Sequence, residues 1–238
     1  MDHGATRRVL LKLSGEALGG AAGVGLDFQA LRTVSEQISR AASLNTEIAI
    51  VVGAGNLCRG ADWSSEKLHR SDADAIGMTA THVNALALRA HLQMQDCPAV
   101  VLGAGSPVPQ IQRFHSGEAR QLLSLGTTVV LSGGTGNPYF TTDTCAALRA
   151  AELDCGELLK GTKHDGIYDQ DPARYPEANK LETTTFDHVL EAGLKAMDTS
   201  AFTLCRDQRI SLRIFDMTRE NAIYEAITGV AVGSLIES

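Results

Sequence analysis

Short apolar segments alternate with longer segments of helical periodicity along this chain. Apolar runs at 8–13, 47–52, 99–102 and 127–131 predict strands, and glycine follows each of them within a few residues. Asp27 is the predicted N-cap of a helix whose apolar positions recur every three or four residues, at Phe28, Leu31, Val34, Ile38 and Ala41. A second helix is predicted at about 72–92. The first half of the chain therefore repeats a strand, a turn and a helix.

The second half continues this alternation. Helices are predicted at about 142–152, 186–192, 198–208 and 219–228, and strands at 156–160, at 211–215 and near Ser234. Asp165-Gly166 is the predicted turn of a hairpin, and the proline-containing segment 166–182 is a candidate flap. Alternating strands and helices predict an α/β fold, a three-layer αβα sandwich with a mainly parallel central sheet, as one domain over 1–238.

Composition narrows the classes of protein that fit this pattern. The 238 residues carry 21 Lys and Arg against 28 Asp and Glu, and the net charge of −7 argues against broad nucleic-acid or membrane-surface binding. The apolar runs are too short to cross a bilayer and the start Met1-Asp2-His3-Gly4 is too polar for a signal peptide, so we expect a cytoplasmic location. The five cysteines form no C-x-x-C pair, which indicates neither a disulfide framework nor a cysteine zinc site.

The glycines that follow the predicted strands are candidates for anion binding. Parallel strands bring their carboxyl ends to one edge of a sheet, where successive backbone amides of glycine turns bind phosphate. A tight turn alone would explain any one of these glycines, but four such turns at one edge favour a ligand. The G-x-x-x-x-G-K-[ST] motif is absent, and Cys58 stands where G-x-G-x-x-G would need its third glycine. A Walker or Rossmann nucleotide site is therefore not predicted.

Isolated charged residues near these turns are the candidates for chemistry. Lys12 lies in an otherwise apolar strand, where a lysine is costly without a partner, so we predict that it binds phosphate. Arg59 and Lys160 are the other nearby cations, and an exposed surface position remains equally open for Lys160. Three acids near predicted helix starts fit a helix cap as well as a ligand: Asp74, Asp143 and Asp198. Histidine pairs at helical spacing and a G-x-S-x-G elbow are absent, so zinc hydrolysis and serine-esterase chemistry are not supported.

Four motifs together resemble one enzyme family. They are KLSGE at 12–16, GNLCRG at 55–60, TGNPYFTTD at 135–143 and KGTKHDGIY at 160–168. In this order, over essentially the whole chain, they resemble the bacterial uridylate (UMP) kinases of the amino-acid kinase superfamily. The third motif is the most specific, because relatives that phosphorylate carboxylates or carbamate lack it. The resemblance implies phosphorylation of UMP to UDP by ATP with Mg²⁺, in pyrimidine nucleotide biosynthesis.

The resemblance also implies roles for individual residues. Charge neutralisation and orientation during catalysis fall to Lys12, Arg59, Asp143 and Asp198. Contacts with ATP fall to Lys12, Leu13, Ser14, Gly15, Gly55, Arg59, Thr162, Tyr168 and Asp171. Contacts with UMP fall to Ala54, Asp74, Thr135, Gly136, Asn137, Pro138, Tyr139, Phe140, Thr141 and Thr142. Ala54 replaces the middle glycine of the family's usual Gly-Gly-Gly-Asn run, so backbone donation there requires a negative φ.

Further expectations rest on the resemblance alone. An N-terminal lobe over about 1–150 would bind UMP, and a C-terminal lobe over about 151–238 would bind ATP. The segment linked in relatives to activation by GTP corresponds to Gly20, Ala21, Ala22, Gly23, Val24 and Gly25, which carry no polar side chain. UTP is the expected inhibitor. Self-association is expected as well, as a homohexamer.

The implied reaction needs no general base. A phosphate monoester has its second pKa at about 6, so the attacking oxygen of UMP is already mostly ionised at pH 7. Positioning and charge neutralisation then carry catalysis. Two other classes stay open: a sister enzyme such as an acetylglutamate or carbamate kinase, and a non-catalytic protein of this fold that binds nucleotide or stores oxyanions, as molybdenum storage proteins do. Lys12, Arg59 and Asp198 favour turnover over storage.

Overall fold

A computed structural model describes residues 6–58, 68–105 and 108–238 of the chain. The strands are β1 (Arg8–Leu13), β2 (Glu47–Val52), β3 (Ala99–Gly103), β4 (Gln112–Arg113), β5 (Thr128–Ser132), β6 (Glu157–Thr162), β7 (Ile167–Tyr168), β8 (Lys180–Leu181), β9 (Thr183–Thr185), β10 (Ser211–Asp216) and β11 (Ser234–Glu237). The α-helices are α1 (Phe28–Ala42), α2 (Arg70–Met94), α3 (Ser116–Ser124), α4 (Thr142–Glu152), α5 (Phe186–Glu191), α6 (Thr199–Asp207) and α7 (Ala222–Thr228). A 3₁₀ helix covers Gly15–Ala22.

One nine-stranded sheet runs through the molecule in the order β4-β3-β5-β2-β1-β6-β10-β11-β9. Its strand pairs are parallel, apart from the antiparallel pair of β10 and β11. β7 and β8 form a separate antiparallel pair. β1 lies between β2 and β6, so the sheet continues across the predicted lobe boundary near residue 150. The division into lobes stays a prediction.

Side chains of the central strands alternate between two apolar cores, one on each face of the sheet. Along β1, Val9, Leu11 and Leu13 pack into one core, and Leu10 packs into the other. Residues of α1, α2 and α7 complete the first core, and residues of α3, α4, α5 and α6 complete the second. The predicted three-layer α/β fold with a mainly parallel sheet is therefore confirmed. Within the described ranges, no helix is both long enough and apolar enough to cross a membrane.

The helix α1 begins where its cap predicts. Asp27 Oδ1 accepts a hydrogen bond from Ala30 N at 2.7 Å, and the four later apolar positions are buried. Phe28 is the exception, because 76% of it is exposed and its ring lies beside His91 of α2. A helix turns by about 100° per residue, which places Phe28 about 100° away from the centre of the buried face. Phe28 is therefore an apolar position of the helix that does not belong to its buried face.

Two other local predictions were wrong. The segment after β1 forms a 3₁₀ helix with a kink at Gly20, where a glycine loop was expected. Asp165-Gly166 does not turn a hairpin from β6, because β1 and β10 already pair with both edges of that strand. The chain instead continues to β7, which pairs with β8. Helix α3 and the short strands β4, β7, β8 and β9 were not predicted.

Candidate active site

The four strands that end in glycine turns are consecutive neighbours in the sheet. Their order is β3-β5-β2-β1, and β6 follows directly. Because these strands are parallel, the turns after them lie at one edge, where ligands of open α/β sheets bind. The expectation that the glycines gather at one edge is therefore met.

The turns that follow β1 and β2 are in direct contact. Gly53 N donates a hydrogen bond to Leu13 O at 2.9 Å. A Cβ atom on Gly15 would lie 2.5 Å from Asn56 Oδ1, 2.7 Å from Gly53 O and 2.8 Å from Gly55 N. Position 15 therefore accepts only glycine without a shift of the neighbouring turn. The Leu13 side chain is fully buried in the core, which leaves only its main chain for a ligand.

A cluster of two lysines and one aspartate, of which Lys160 is buried and Lys12 and Asp143 are partly buried, lies beside these turns. Lys12 and Lys160 are directly paired across β1 and β6, so their side chains leave the same face of the sheet. Lys12 Nζ lies 2.8 Å from Asp143 Oδ1, and Lys160 Nζ donates to Asp143 Oδ2 at 2.5 Å. Oδ1 has no hydrogen bond of regular geometry, so its contact with Lys12 is ionic. Lys160 also donates to Ala196 O at 2.5 Å, and the alternative of a surface lysine was wrong.

The charges of this cluster do not cancel. Burial opposes ionisation of Asp143, but the two ammonium groups outweigh it and hold its pKa below the ordinary value. Burial lowers the pKa of Lys160, against the attraction of Asp143, and repulsion from Lys12 adds to this lowering. Two cations thus share one carboxylate at the point where the glycine turns converge. The cluster is electrostatically suited to an anion.

Neither Asp143 nor Asp198 caps a helix with its side chain. Thr141 caps α4 by accepting hydrogen bonds from Asp143 N and Thr144 N. Asp198 occupies the N-cap position of α6, but its side chain makes no capping hydrogen bond. It instead accepts hydrogen bonds from the hydroxyls of Thr141 and Thr144, the latter at 3.0 Å. Asp198 therefore joins the starts of α4 and α6 and supports the turn that carries Asp143.

A cavity of about 160 Å³, called here the turn cavity, opens next to the cluster. Its lining comes from the turn after β2, from α2 and from the start of α4: Ala54, Gly55, Cys58, Ala73, Asp74, Gly77, Met78, Thr81, Gly134, Phe140, Thr141 and Thr142. Five of the residues assigned to UMP are among them, namely Ala54, Asp74, Phe140, Thr141 and Thr142. The φ of Ala54 is not positive, so the condition for backbone donation there is fulfilled.

The other residues assigned to UMP lie in the exposed turn before α4. Thr135 and Asn137 bond to each other, since Asn137 N donates to Thr135 Oγ1 at 3.1 Å. Tyr139 has a positive φ of 71°, and its N–H donates to Asp74 Oδ2 at 2.7 Å. Asp74 therefore binds this turn to α2 as well as lining the turn cavity. Gly136 and Pro138 complete the turn and do not line that cavity.

A second cavity of about 650 Å³, called here the loop cavity, lies on the other side of the cluster. Lys160 lines it, and so do Thr162, Tyr168 and Asp171, the three residues assigned to the ATP nucleoside. The side chains of two of them make local hydrogen bonds: Thr162 Oγ1 donates to His164 O at 2.8 Å, and Tyr168 Oη donates to Asp165 Oδ1 at 2.9 Å. The structure thus places five of the residues assigned to UMP at the turn cavity and three of those assigned to ATP at the loop cavity, while Gly55, also assigned to ATP, lines the turn cavity.

Arg59 and the segment assigned to GTP are the remaining assignments. Arg59 lies outside the described residues. The segment assigned to GTP lies at the end of the 3₁₀ helix, where Gly25 N donates to Asn56 O at 2.8 Å. Gly20 and Ala21 line a third cavity of about 1020 Å³, an open groove beside α1. The segment is therefore in contact with the turn after β2 but separate from both smaller cavities.

The site offers few side chains that could bind Mg²⁺. Within the described ranges, no three His, Cys, Asp or Glu side chains come together as a metal site. A nucleotide-bound Mg²⁺ takes its ligands mainly from phosphates and water, with one or two carboxylates. Asp143, whose Oδ1 lacks a regular hydrogen bond, and Asp198 are the carboxylates at the site. These residues fit a Mg²⁺ that arrives with a nucleotide.

Comparison with known proteins gives a consistent result. Residues 7–216 match the model of the amino acid kinase family. The uridylate kinase of Ectopseudomonas mendocina is 42% identical over 231 residues, which cover 97% of this chain and 94% of that protein. The crystal structure of UMP kinase from Ureaplasma parvum is similar with a TM-score of 0.92 and 32% identity, covering 98% of this chain and 99% of that one. The UMP kinase from Bacillus anthracis has a TM-score of 0.93 at 28% identity, with 97% and 96% covered.

Proposed function

This chain belongs to the uridylate kinases of the amino acid kinase family, and we propose that it transfers the γ-phosphoryl group of ATP to UMP, forming ADP and UDP. The observation that carries the proposal is the pairing of Lys12 and Lys160 on one carboxylate, beside the glycine turns. Two ammonium groups at that point suit the phosphates of two nucleotides. The product would feed pyrimidine nucleotide biosynthesis.

The two cavities divide the substrates. UMP would occupy the turn cavity and the neighbouring turn 135–140, where peptide and hydroxyl groups meet its phosphate, ribose and base. ATP would place its nucleoside in the loop cavity and its phosphates against Ser14, Gly15 and Lys12. Phosphates from both sides would then meet at the lysine pair. In-line transfer needs this alignment more than it needs any proton acceptor.

Each charged residue has a specific task in this scheme. Lys12 and Lys160 would stabilise negative charge on the transferring phosphoryl group, and Arg59 would contribute from the turn after β2. Asp143 would hold both ammonium groups in place, and Asp198 would fix the start of α4. Mg²⁺ bound with ATP would supply further charge neutralisation, with Asp143 and Asp198 as its nearest carboxylates. No side chain is required as a general base.

A coupled assay of ADP release tests the activity. Wild-type protein is given ATP with UMP, CMP or acetylglutamate in parallel, and turnover with UMP is the expected result. Turnover with acetylglutamate would favour a sister kinase, and nucleotide binding without turnover would favour a storage or binding protein. Lys12→Met should then reduce kcat at saturating nucleotides with the fold intact, and a near-normal kcat would remove Lys12 from catalysis.

Self-association is a further part of the proposal. The buried side of α2 packs on the sheet, but its other side carries a second, partly exposed apolar stripe: Ile76, Ala80, Val83, Ala87, Ala90 and Met94. Ile76, Val83 and Met94 are 37%, 48% and 74% exposed, and all six lie within about 40° of one direction on the helix. A second copy of the chain would cover this stripe. Val83→Asp should shift the sedimentation coefficient towards a smaller species, and an unchanged value would contradict this contact.

Regulation and location rest on the family resemblance alone. We expect GTP to activate and UTP to inhibit, although residues 20–25 offer main-chain groups and no polar side chain to an effector. Initial rates measured against each nucleotide at subsaturating UMP test both effects. We also expect the protein to act in the cytoplasm.

A further inference from the structure

A buried side chain of α2, Asn84, holds the turn after β2 beside the turn cavity. Asn84 is 0% exposed, and it is not among the described residues that line the turn cavity. Its Nδ2 donates to Gly53 O and to Asn56 Oδ1, both at 2.7 Å, and its Oδ1 accepts from Asn56 Nδ2 at 3.1 Å. Both donors of the carboxamide are therefore used, which is what a buried amide requires.

Asn56 extends this connection to a third segment. Its Nδ2 also donates to Gly25 O at 2.5 Å, and Gly25 N donates to Asn56 O at 2.8 Å. One carboxamide pair thus ties the turn after β2 to α2 on one side and to the end of segment 20–25 on the other. An apolar side chain at either position would leave several of these main-chain and side-chain groups unpaired.

The atoms that Asn84 holds also define the space for the turn after β1. Asn84 Nδ2 binds two oxygens, Gly53 O and Asn56 Oδ1. These are the same two atoms that lie nearest to a Cβ built on Gly15, at 2.7 Å and 2.5 Å. A displacement of either oxygen would therefore alter the contact between the two turns. Asn84 fixes the turn after β2 from behind, at a position without access to a ligand, and reaches the turn after β1 only through that turn.

We infer that Asn84 is a positioning residue of the phosphoryl-transfer site. This inference rests on the proposed function, because it assigns Asn84 the task of holding the turns that would carry the UMP and ATP phosphates. Asn84 touches neither nucleotide in this scheme and acts through Gly53 and Asn56. Loss of its two donors should loosen the alignment at the turn cavity, whereas the loop cavity has no residue of these turns in its lining.

Asn84→Asp is the most direct variant, because it keeps the shape of the side chain and removes both donors. It also places a carboxylate against the two oxygens that Asn84 binds. Misplacement of groups that align the substrates lowers the rate of a reaction by about 10²-fold, so we expect kcat/KM for UMP to fall by about that factor. The KM for ATP should change by less than about threefold, since the nucleoside part binds elsewhere. If this variant does not fold, Asn84→Ser, which retains one donor, replaces it and should show a smaller loss.

Leu88→Ala is the matched control, because Leu88 lies one helical turn further along α2, is fully buried and contacts the core. It should lower Tm while leaving kcat/KM for UMP unchanged. The inference is overturned if Asn84→Asp keeps the wild-type kcat/KM, or if Leu88→Ala loses as much activity at an equal Tm.

Hydrogen exchange separates this inference from the proposed activity. Peptides covering 15–25 and 53–58 should exchange faster in Asn84→Asp than in the wild type, at temperatures equally far below each Tm, and they should not do so in Leu88→Ala. Absence of UMP-dependent ADP release by the wild type would refute the activity and leave the exchange result to decide the positioning role. Unchanged exchange in both peptides would refute that role whatever the activity.

Discussion

The turn cavity and the loop cavity are built from different parts of the fold, and of the lysine pair only Lys160 lines one of them, the loop cavity. The turn cavity, about 160 Å³, is bounded by strand-to-helix turns whose polar groups bond to buried side chains such as Asn84 and Thr81. The loop cavity, about 650 Å³, is bounded mainly by the segment after β6, whose side-chain hydrogen bonds are short-range and exposed apart from the buried one that Ile167 N donates to Ser234 Oγ at 2.9 Å. One side of the site is thus fixed by the core, and the other depends on a loop.

This difference predicts how each side responds to substitution. Substitutions around the turn cavity and the lysine pair should disrupt the alignment of the two substrates and also destabilise the fold, because the same contacts support the site and the fold. Changes around the loop cavity should raise KM for one substrate and leave the fold intact.

Asp143→Asn should have the largest effect, since it removes the charge that both lysines share. Loss of one partner from a buried ion pair costs about 3–5 kcal/mol, and we expect this loss in the free energy of unfolding. The rate should fall by at least about 10²-fold because neither ammonium group stays in position. Denaturant titration and the ADP-release assay measure the two effects. Asp187→Asn, at an ion pair with a 71% exposed carboxylate, is the control and should change neither by much.

Gly15→Ala should have the second-largest effect. The new Cβ would lie within 2.8 Å of three atoms in the turn after β2, so that turn must move and with it the turn cavity. Overpacking of this kind lowers the free energy of unfolding by about 1–3 kcal/mol. We expect most of the activity to be lost as well. Gly117→Ala in α3 is the matched control, because nothing lies within 4 Å of its added Cβ. A Gly15→Ala enzyme with wild-type kcat would show that the two turns are less tightly coupled than the contact distances indicate.

The pH dependence of stability should report the same cluster. Asp143 has a lowered pKa in the folded state, so its contribution is present above the unfolded value of about 3.9 and is lost as pH falls through the folded pKa. The difference in unfolding free energy between wild type and Asp143→Asn should therefore shrink as pH decreases from about 5 to about 3. Chemical denaturation at several pH values measures it. A difference that stays constant would mean that the Asp143 charge does not contribute.

Tyr168→Ala should test the loop cavity with a graded effect. An aromatic ring packed on a base contributes about 0.5–1.5 kcal/mol, so KM for ATP should rise by about three- to tenfold with Tm and KM for UMP unchanged. Tyr175→Ala removes an aromatic ring that is 45% exposed in the same segment and does not line the loop cavity. Equal effects of the two substitutions would argue against a nucleoside at Tyr168.

Ala54→Gly should have the smallest effect. The φ of Ala54 is not positive, so the methyl group does not force the backbone out of an allowed region. Restoring glycine should lower stability by about 0.4–1 kcal/mol through the unfolded chain and leave KM for UMP within about twofold. A large gain in affinity would instead mean that the methyl group obstructs the phosphate.

The sequence was sufficient for the parts of the site that depend on strand order and spacing. Glycines after successive short strands predicted a single ligand-binding edge, and Lys12 inside an apolar strand predicted a partner. Lys160 was left undecided because its environment comes from β1, α4 and residue 196, all distant along the chain. The signal that could have found it is its position at the end of a buried strand, like that of Lys12.

The helix starts also show what a local sequence signal can and cannot predict. A cap signal is local, and Asp27 was assigned correctly from it. Asp143 and Asp198 carry the same signal, yet their carboxylates bind lysines and threonine hydroxyls. A single chain segment cannot reveal which partners compete for a carboxylate.

What the sequence determined by itself was the periodicity of each element, the glycine turns and hence the α/β class, since these depend on neighbours along the chain. What only the tertiary structure decided was the pairing of Lys12 with Lys160, their shared carboxylate and the buried link from Asn84 to the turn after β2. Those contacts join residues from separate strands and helices. Their energy depends on burial and direction, which exist only after the sheet and both helical layers have assembled.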